Sequence, residues 1–419
     1  AILERRIGKK EISIWAIPSG GTHTKSQLAN QLDYLTTKST HIVDSSGFLD
    51  GKARLEPKEI KDLTERFAKR WSAGFRPKLG QTTHMLLSFP IGTRGEDARD
   101  IIRHACGADR DEYAVIFAGS GSTAAVDKLI GILNLRLPAD LDERYRLRSH
   151  IPADERPVVF IGPYEHHSNE LSWKEGLAEV VKVRLNQEGM IDLKHLEQLL
   201  KDPRFEGRMK LGSFSAASNV TGIRSNVREI TSLLHKYGAI ACFDYAACAP
   251  YVEIDMNPEP QGDEDPSIDA IFISPHKFLG GPGSSGVLVF NERIYDRALP
   301  PSVSAGGTVD YVGPDSEDFI ADIEEREKAG TPGVLQTLKA GLVFEIKDRV
   351  GVDVIEKREH ELTSRALASW GENDNIEILG NPDAARRVGI ISFNVRDARG
   401  HYLHHKFVTA LLNDLFGIQ

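Results

Sequence analysis

Two rhythms of apolar and polar residues run along the chain. In the first quarter, residues 11–17 (EISIWAI) alternate apolar and polar, which predicts a half-buried strand, and Pro18-Ser19-Gly20-Gly21 predicts the turn after it. Thr24 is placed to cap a helix to about Thr37 whose core stripe is Leu28, Leu32 and Leu35; Tyr34 falls off that stripe, beside Gln27, Asn30 and Gln31. Pro57 suits the first position of a second helix, with Ile60, Leu63, Phe67 and Trp71 on one side, and residues 83–90 (THMLLSFP) read as a strand. From about residue 112 strand-like runs recur: YAVIFAG (113–119), PVVFIG (157–162), AEVVKVR (178–184), GSFSAAS (212–218), AIACFD (239–244), DAIFIS (269–274) and GVLVF (286–290). Helical patterns lie between several of them, notably 123–135 and 226–237. That alternation predicts an α/β fold, a mostly parallel central sheet covered by helices. Residues 257–267 form an acidic, Pro-rich loop, a long helix follows Pro332, and 389–395 (GIISFNV) read as a strand in a smaller C-terminal region.

Composition narrows the class. With 419 residues, 40% hydrophobic, 7% aromatic, 37 glycines and 20 prolines, the chain can hold two or three domains and is neither disordered nor collagen-like. No run approaches the roughly 20 apolar residues of a membrane span. The opening AILERRIGKK carries charges where a signal peptide has its apolar core. Cys106, Cys242 and Cys248 form no CxxC or Cys/His ligand pattern, so the expectation is a reduced, cytoplasmic protein without a structural metal. The net charge of −9 conceals a step: residues 1–105 carry 18 Lys and Arg against 12 Asp and Glu, so the remainder carries 34 against 49. A basic quarter joined to an acidic body suggests two modules, one with a nucleic-acid partner; ordinary surface variation gives the same numbers, and charge alone leaves both open.

The second module carries the sharpest chemistry. Gly119-Ser120-Gly121-Ser122-Thr123 lies between a strand and a helix, where glycines allow a tight turn and free N–H groups with two hydroxyls can cradle a phosphate; an ordinary capped helix has the same signature. Asp244 ends an apolar strand, at the sheet edge where α/β folds place ligands, although a turn cap would look alike. Ser274-Pro275-His276-Lys277 follows another strand and precedes a glycine-rich stretch; a lysine there is a candidate for a desolvated amine of lowered pKa, the state in which lysine forms Schiff bases. Cradle, carboxylate and amine together describe a site for pyridoxal 5'-phosphate. His166, in Glu165-His166-His167-Ser168-Asn169, supplies the expected imidazole lid, and no third ligand is spaced to make the adjacent histidines a metal site.

On these motifs, residues from about 97 onward resemble the class V aminotransferases of fold-type I, a family that includes cysteine desulfurases, selenocysteine lyases and kynureninases. The resemblance implies Lys277 as the Schiff-base lysine, Asp244 at the pyridine nitrogen and His166 on the ring, the three catalytic candidates. It implies cofactor contacts from Ser122, Thr123, Ser274 and His276, from Asn219 in SNVTG, and from Thr331 in Ala329-Gly330-Thr331-Pro332, the last reaching a neighbouring subunit and so implying a homodimer. The implied activity is transamination, desulfuration or β-elimination, or epimerisation of a small-molecule amino-acid substrate. Two departures stand out: Ala247 occupies the place of the family's glutamine three residues after the aspartate, and the chain reaches Gln419 before the family's substrate-binding arginine and, in desulfurases, its cysteine loop. The expectation is an enzyme body cut short, in which desulfuration is unassigned.

Residues 1–95 are similar instead to relaxases of the T-DNA border endonuclease type, on Ile17-Pro18-Ser19-Gly20-Gly21-Thr22, on the segment from Gln27 to Leu35, and on that from Thr83 to Thr93. That resemblance implies Tyr34 as a DNA nucleophile; the histidine cluster a relaxase needs for its metal is not found, so the alternative function is residual DNA binding or nicking, or an impaired fusion of the two modules. The expected organisation is a relaxase-like fragment over 1–95, a cofactor-binding domain over 96–310, and a linker helix with a truncated small α+β domain over 311–419.

Overall fold

The computed structural model describes residues 2–7, 10–15, 43–44, 47–48, 98–108 and 112–418. The chain divides into two compact units, 1–95 and 96–419. In the first, β1 (Ile2–Ile7), β2 (Lys10–Trp15), β3 (Val43–Asp44) and β4 (Gly47–Phe48) form an antiparallel sheet in that order, β1 and β2 paired from Ile2 against Trp15 to Ile7 against Lys10. The strand expected over 11–17 overlaps β2, its last two residues lying outside the described ones. Tyr34, the two helices expected before residue 75 and the strand expected over 83–90 lie outside the described residues.

The second unit opens with α1 (Ala98–Ala105) and is built on β5 (Tyr113–Ala118), β6 (Val158–Ile161), β7 (Glu179–Lys182), β8 (Lys210–Ser215), β9 (Ile240–Asp244), β10 (Ala270–Ile273) and β11 (Gly286–Asn291), in the order β5-β11-β10-β9-β8-β6-β7. Strands β10, β9, β8, β6 and β7 pair in parallel, and β11 pairs antiparallel to both β10 and β5. An antiparallel strand flanked on both sides returns β5 to the direction of the parallel set. The carboxyl ends of β5, β6, β8, β9 and β10 therefore share one edge of the sheet.

Strand residues alternate between two cores, one on each face. Val115, Phe243, Ile271 and Val289 face one; Ile116, Cys242, Phe272 and Phe290 face the other. Helices cover both faces, as a parallel sheet requires. α2 (Gly121–Ile132) buries Ala125, Val126, Leu129 and Ile130 on the second face. After α3 (Ala139–Tyr145), α4 (Leu147–His150) and α5 (His167–Lys174), the first face is covered by α6 (Leu193–Leu200) through Leu196 and Leu200, and by α7 (Val227–Lys236) through Ile230 and Leu234.

Beyond the sheet come the pair β12 (Val309–Val312) and β13 (Glu317–Phe319) and the short helix α8 (Ile323–Arg326). α9 (Val334–Val350) is the long helix expected after Pro332, and its Ala340, Val343 and Phe344 join the first core. α10 (Val352–Gly371), the antiparallel pair β14 (Ile376–Ile378) and β15 (Phe393–Val395), and α11 (His405–Phe416) complete the unit. The strand expected over 389–395 is thus shorter: its first part is held by loop contacts, with Gly389 N–H donating to Glu359 Oε2 and Ile390 N–H to the Val388 carbonyl. Among the described residues, no helix is long and apolar enough to cross a membrane.

Candidate functional site

The shared carboxyl edge of the sheet holds a solvent-open cavity of ≈ 160 Å³. Each strand delivers its residues to it directly. β5 ends at Ala118 and the chain turns through Gly119 and Ser120 into α2, whose first residues Gly121, Ser122 and Thr123 form one wall. β9 ends on Asp244, β8 leads to Ala217 and Asn219, and β10 leads into a single 3-10 turn, Pro275–Lys277, that brings Ser274, His276 and Lys277 to the opposite wall. His166, after β6, caps α5 with its own ring: Ser168 N–H donates to His166 Nδ1 at 3.2 Å.

The walls are tied to one another. Ser122 N–H donates to Ser274 Oγ (2.8 Å), joining the start of α2 to the lysine turn. The Thr123 and Ser168 hydroxyls share a hydrogen bond (2.7 Å), and Ser168 Oγ lies 3.1 Å from His166 Nδ1, joining α2 to the imidazole. Gly121 has φ +62°, and a Cβ there would lie 2.5 Å from His276 Cε1 and 3.0 Å from Ser274 Oγ. Only glycine lets the backbone come so close to these side chains.

Asp244 is buried and accepts from Ala246 N–H (2.9 Å). Burial pushes its carboxyl above the usual range, opposed by the Ala246 N–H and by the charges of Lys277 and His166. Burial, then the Lys277 charge, push the His276 imidazole down. Lys277 itself is exposed. The desolvated amine expected from sequence is therefore not provided by the walls around it, because the 3-10 turn carries the side chain past the end of buried β10.

The cavity thus brings together Ser122, Thr123, His166, Asn219, Asp244, Ser274, His276 and Lys277, and Ala247 also lines it. Thr331 is exposed and lies outside this lining. Sequence reasoning missed Ser215 in the wall and the polar cluster behind it. Glu165, taken only as the neighbour of His166, is buried, as are Asn169, Ser213 and Trp173. The available signal was the i, i+4, i+8 spacing of Glu165, Asn169 and Trp173, with serines at alternate positions of the apolar strand β8. None of the three cysteines lines the cavity; all are buried.

This is an α/β protein with a cavity at the carboxyl edge of a mostly parallel sheet, lined by a helix N-terminus, a buried carboxylate and an amine. The class-V aminotransferase profile matches residues 146–412, and the chain belongs to that family, whose members use pyridoxal phosphate. A probable cysteine desulfurase of Halalkalibacterium halodurans is 28% identical over 251 residues, which span 59% of this chain and 57% of that protein. One from Staphylococcus aureus strain N315 is also 28% identical, over 84% of this chain and 78% of its own. Among solved structures, a cysteine desulfurase from Thermococcus onnurineus shares the fold with a TM-score of 0.61 at 22% identity, covering 81% of this chain and 74% of that one. One from Escherichia coli does so with a TM-score of 0.60 at 19% identity, covering 93% and 79%.

Proposed function

We propose that the 96–419 unit binds pyridoxal phosphate and acts at the α-carbon of an amino-acid substrate. The observation that carries this reading is that one cavity gathers eight of the nine residues the family resemblance singles out. The donor set suits the group. The first-turn N–H groups of a helix have no intrahelical partner and favour a phosphate, the place of a Cβ at Gly121 is already filled, and Asp244 is a buried carboxylate that a cation would satisfy.

In this reading Ser122, Thr123, Ser274 and His276 hold the phosphate at the start of α2, while Asn219 and His166 bound the ring. Asp244 keeps a proton on the ring nitrogen. When bound, the cofactor supplies an electron-withdrawing ring that stabilises negative charge at the substrate α-carbon. Lys277 Nζ anchors the cofactor's aldehyde end and, once released by substrate, is the base that moves the α-proton. Transamination, elimination with desulfuration, and epimerisation all begin with that proton. The desulfurase relatives favour a sulfur-containing amino acid, but this chain's own cysteines do not favour a thiol nucleophile: burial pushes the Cys106 and Cys248 thiols up to about 12 and the Cys242 thiol well above its ordinary value. A second copy of the chain belongs to the reading, with Thr331 facing the partner's site; Leu279 (80% exposed) and Leu335 (74%), both near the functional segments in sequence, are apolar surface that such a copy would cover.

The test is a visible spectrum of the protein reconstituted with pyridoxal phosphate. A cofactor band removed by Lys277→Ala and weakened by Asp244→Asn is expected. A parent protein without such a band sinks the assignment.

A further inference from the structure

Behind the cavity, on the side away from solvent, lies a buried polar cluster that the proposed chemistry does not use. Glu165 is its centre. Its Oε1 accepts from Gly162 N–H (3.1 Å), at the end of β6; its Oε2 accepts from Asn169 Nδ2 (2.8 Å), on α5, and from the Ser215 hydroxyl (2.7 Å), at the end of β8. Asn169 in turn donates to the Ser213 carbonyl (3.1 Å) and accepts from Ser213 Oγ (2.5 Å) and from the Trp173 indole N–H (3.2 Å). One carboxylate therefore joins two strand ends and a helix. The residues it fixes are the neighbours of the cavity wall: His166 follows it in sequence, and Ser215 is itself a wall residue, paired in register with Asp244 across β8 and β9.

A buried carboxylate with three donors and no basic side chain among its hydrogen-bond partners is expensive unless a positive charge comes near. Burial pushes the Glu165 carboxyl up to about 7, against the pull of the Ser215 and Asn169 donors, and the Asp244 charge adds to the rise. Asp244 and Tyr164 are the titratable groups coupled to it; the Tyr164 hydroxyl is engaged with Ser225 Oγ (3.2 Å), and Lys277 and His166 act on Asp244.

We propose that Glu165 is a positioning residue of the ring site, which holds the Ser215 wall by a direct hydrogen bond and the His166 end of α5 through Asn169, and adds to Asp244 a second negative charge for holding a cationic aromatic ring. The inference rests on the cofactor reading above. Binding a protonated ring then favours ionised Glu165, so affinity is linked to the Glu165 proton.

Native protein and Glu165→Gln, which keeps the shape and removes the charge, are each titrated with pyridoxal phosphate at pH 6 and pH 8. Titration of the phosphate and of the ring nitrogen is common to both, so the ratio of their affinities isolates Glu165. A carboxyl with its midpoint at about 7 gains about tenfold in ionised fraction over this interval, and the native protein should gain up to about tenfold in affinity on the variant. In the cofactor-free protein, Trp173 fluorescence, identified by its loss in Trp173→Phe, should show a transition near pH 7 that Glu165→Gln lacks. Parallel affinity profiles from two proteins that both bind overturn the role of Glu165. So does flat Trp173 emission in the native protein, a result that requires no folded Glu165→Gln. Absence of binding by the native protein at either pH, with the Trp173 transition intact, overturns the cofactor reading, and this inference falls with it.

Discussion

Replacing Gly121 by alanine tests whether the start of α2 is a phosphate cradle or an ordinary helix cap. Two costs can be worked from the structure. The first is conformational: Gly121 sits at φ +62°, where a Cβ costs about 1–2 kcal/mol. The second is steric and local: the new Cβ would lie 2.5 Å from His276 Cε1, about 1 Å inside normal carbon contact, and 3.0 Å from Ser274 Oγ. His276 is exposed and can swing away, so the clash is relieved by moving a proposed phosphate ligand rather than by unfolding. Ser274 must also give by a few tenths of an ångström, loosening its bond from Ser122 N–H. Disturbing these contacts by about 1.4 kcal/mol lowers cofactor affinity about tenfold. The backbone cost lowers the melting temperature by about 1.5–3 °C in a unit of this size. Gly238 provides the control: it has φ +65° with nothing within 4 Å of its would-be Cβ, at the far end of α7. Gly238→Ala should match the loss in melting temperature and leave affinity unchanged. Measured by calorimetry and cofactor titration, equal affinity in the parent and both variants would refute the cradle. An equal affinity loss in both variants would show that the effect is global strain.

Two further outcomes are expected. His235 presents Nε2 to the Asp269 carboxylate (2.8 Å), with Arg293 Nη2 3.2 Å from the same nitrogen, and Nδ1 to the Asp265 carbonyl (2.9 Å); burial opposes the charge, but Asp269 and Asp265 outweigh it and hold the pKa above 6.5. A raised folded value means that His235 stabilises fully below about pH 6.5 and loses this contribution as pH rises through the folded value. The gap in urea midpoint between native protein and His235→Asn should therefore shrink from pH 6 to pH 8.5, and a constant gap contradicts it. Separately, a thiol reagent such as Ellman's should label none of Cys106, Cys242 and Cys248 in the native protein and all three in denaturant, since each is buried with its thiol pushed up; stoichiometric native labelling would show that the core opens.

The sheet was legible because most of its strands are buried on both faces and read as short apolar runs between turns. What such runs do not encode is direction. GVLVF in β11 looks the same whether it runs with its neighbours or against them; the segment between β10 and β11 holds one 3-10 turn and no α-helix to carry a parallel crossover, and β11 runs antiparallel between β5 and β10. Helix α5 was hidden for a different reason. Its buried residues are Asn169 and Trp173, so a search for an apolar stripe finds little in HSNELSWK.

The same distinction explains the site. Asp244 and the Ser274 to Lys277 segment stand at or just beyond strand ends and declare themselves by position, because chemistry-bearing residues at that edge face the ligand whatever the details of packing. Glu165, Ser213 and Ser215 declare nothing, since a polar residue satisfied by a buried partner and one solvated at the surface have the same letter. Their separation needs the third dimension: Ser215 lies opposite Asp244 in the ladder, and Glu165 reaches Ser215 from 50 residues away. A serine alternating with aromatic residues inside an otherwise apolar strand next to a ligand-bearing edge therefore predicts a hydrogen-bonded wall rather than a weak strand. In this chain that wall links Glu165 to the strand pair that carries Asp244.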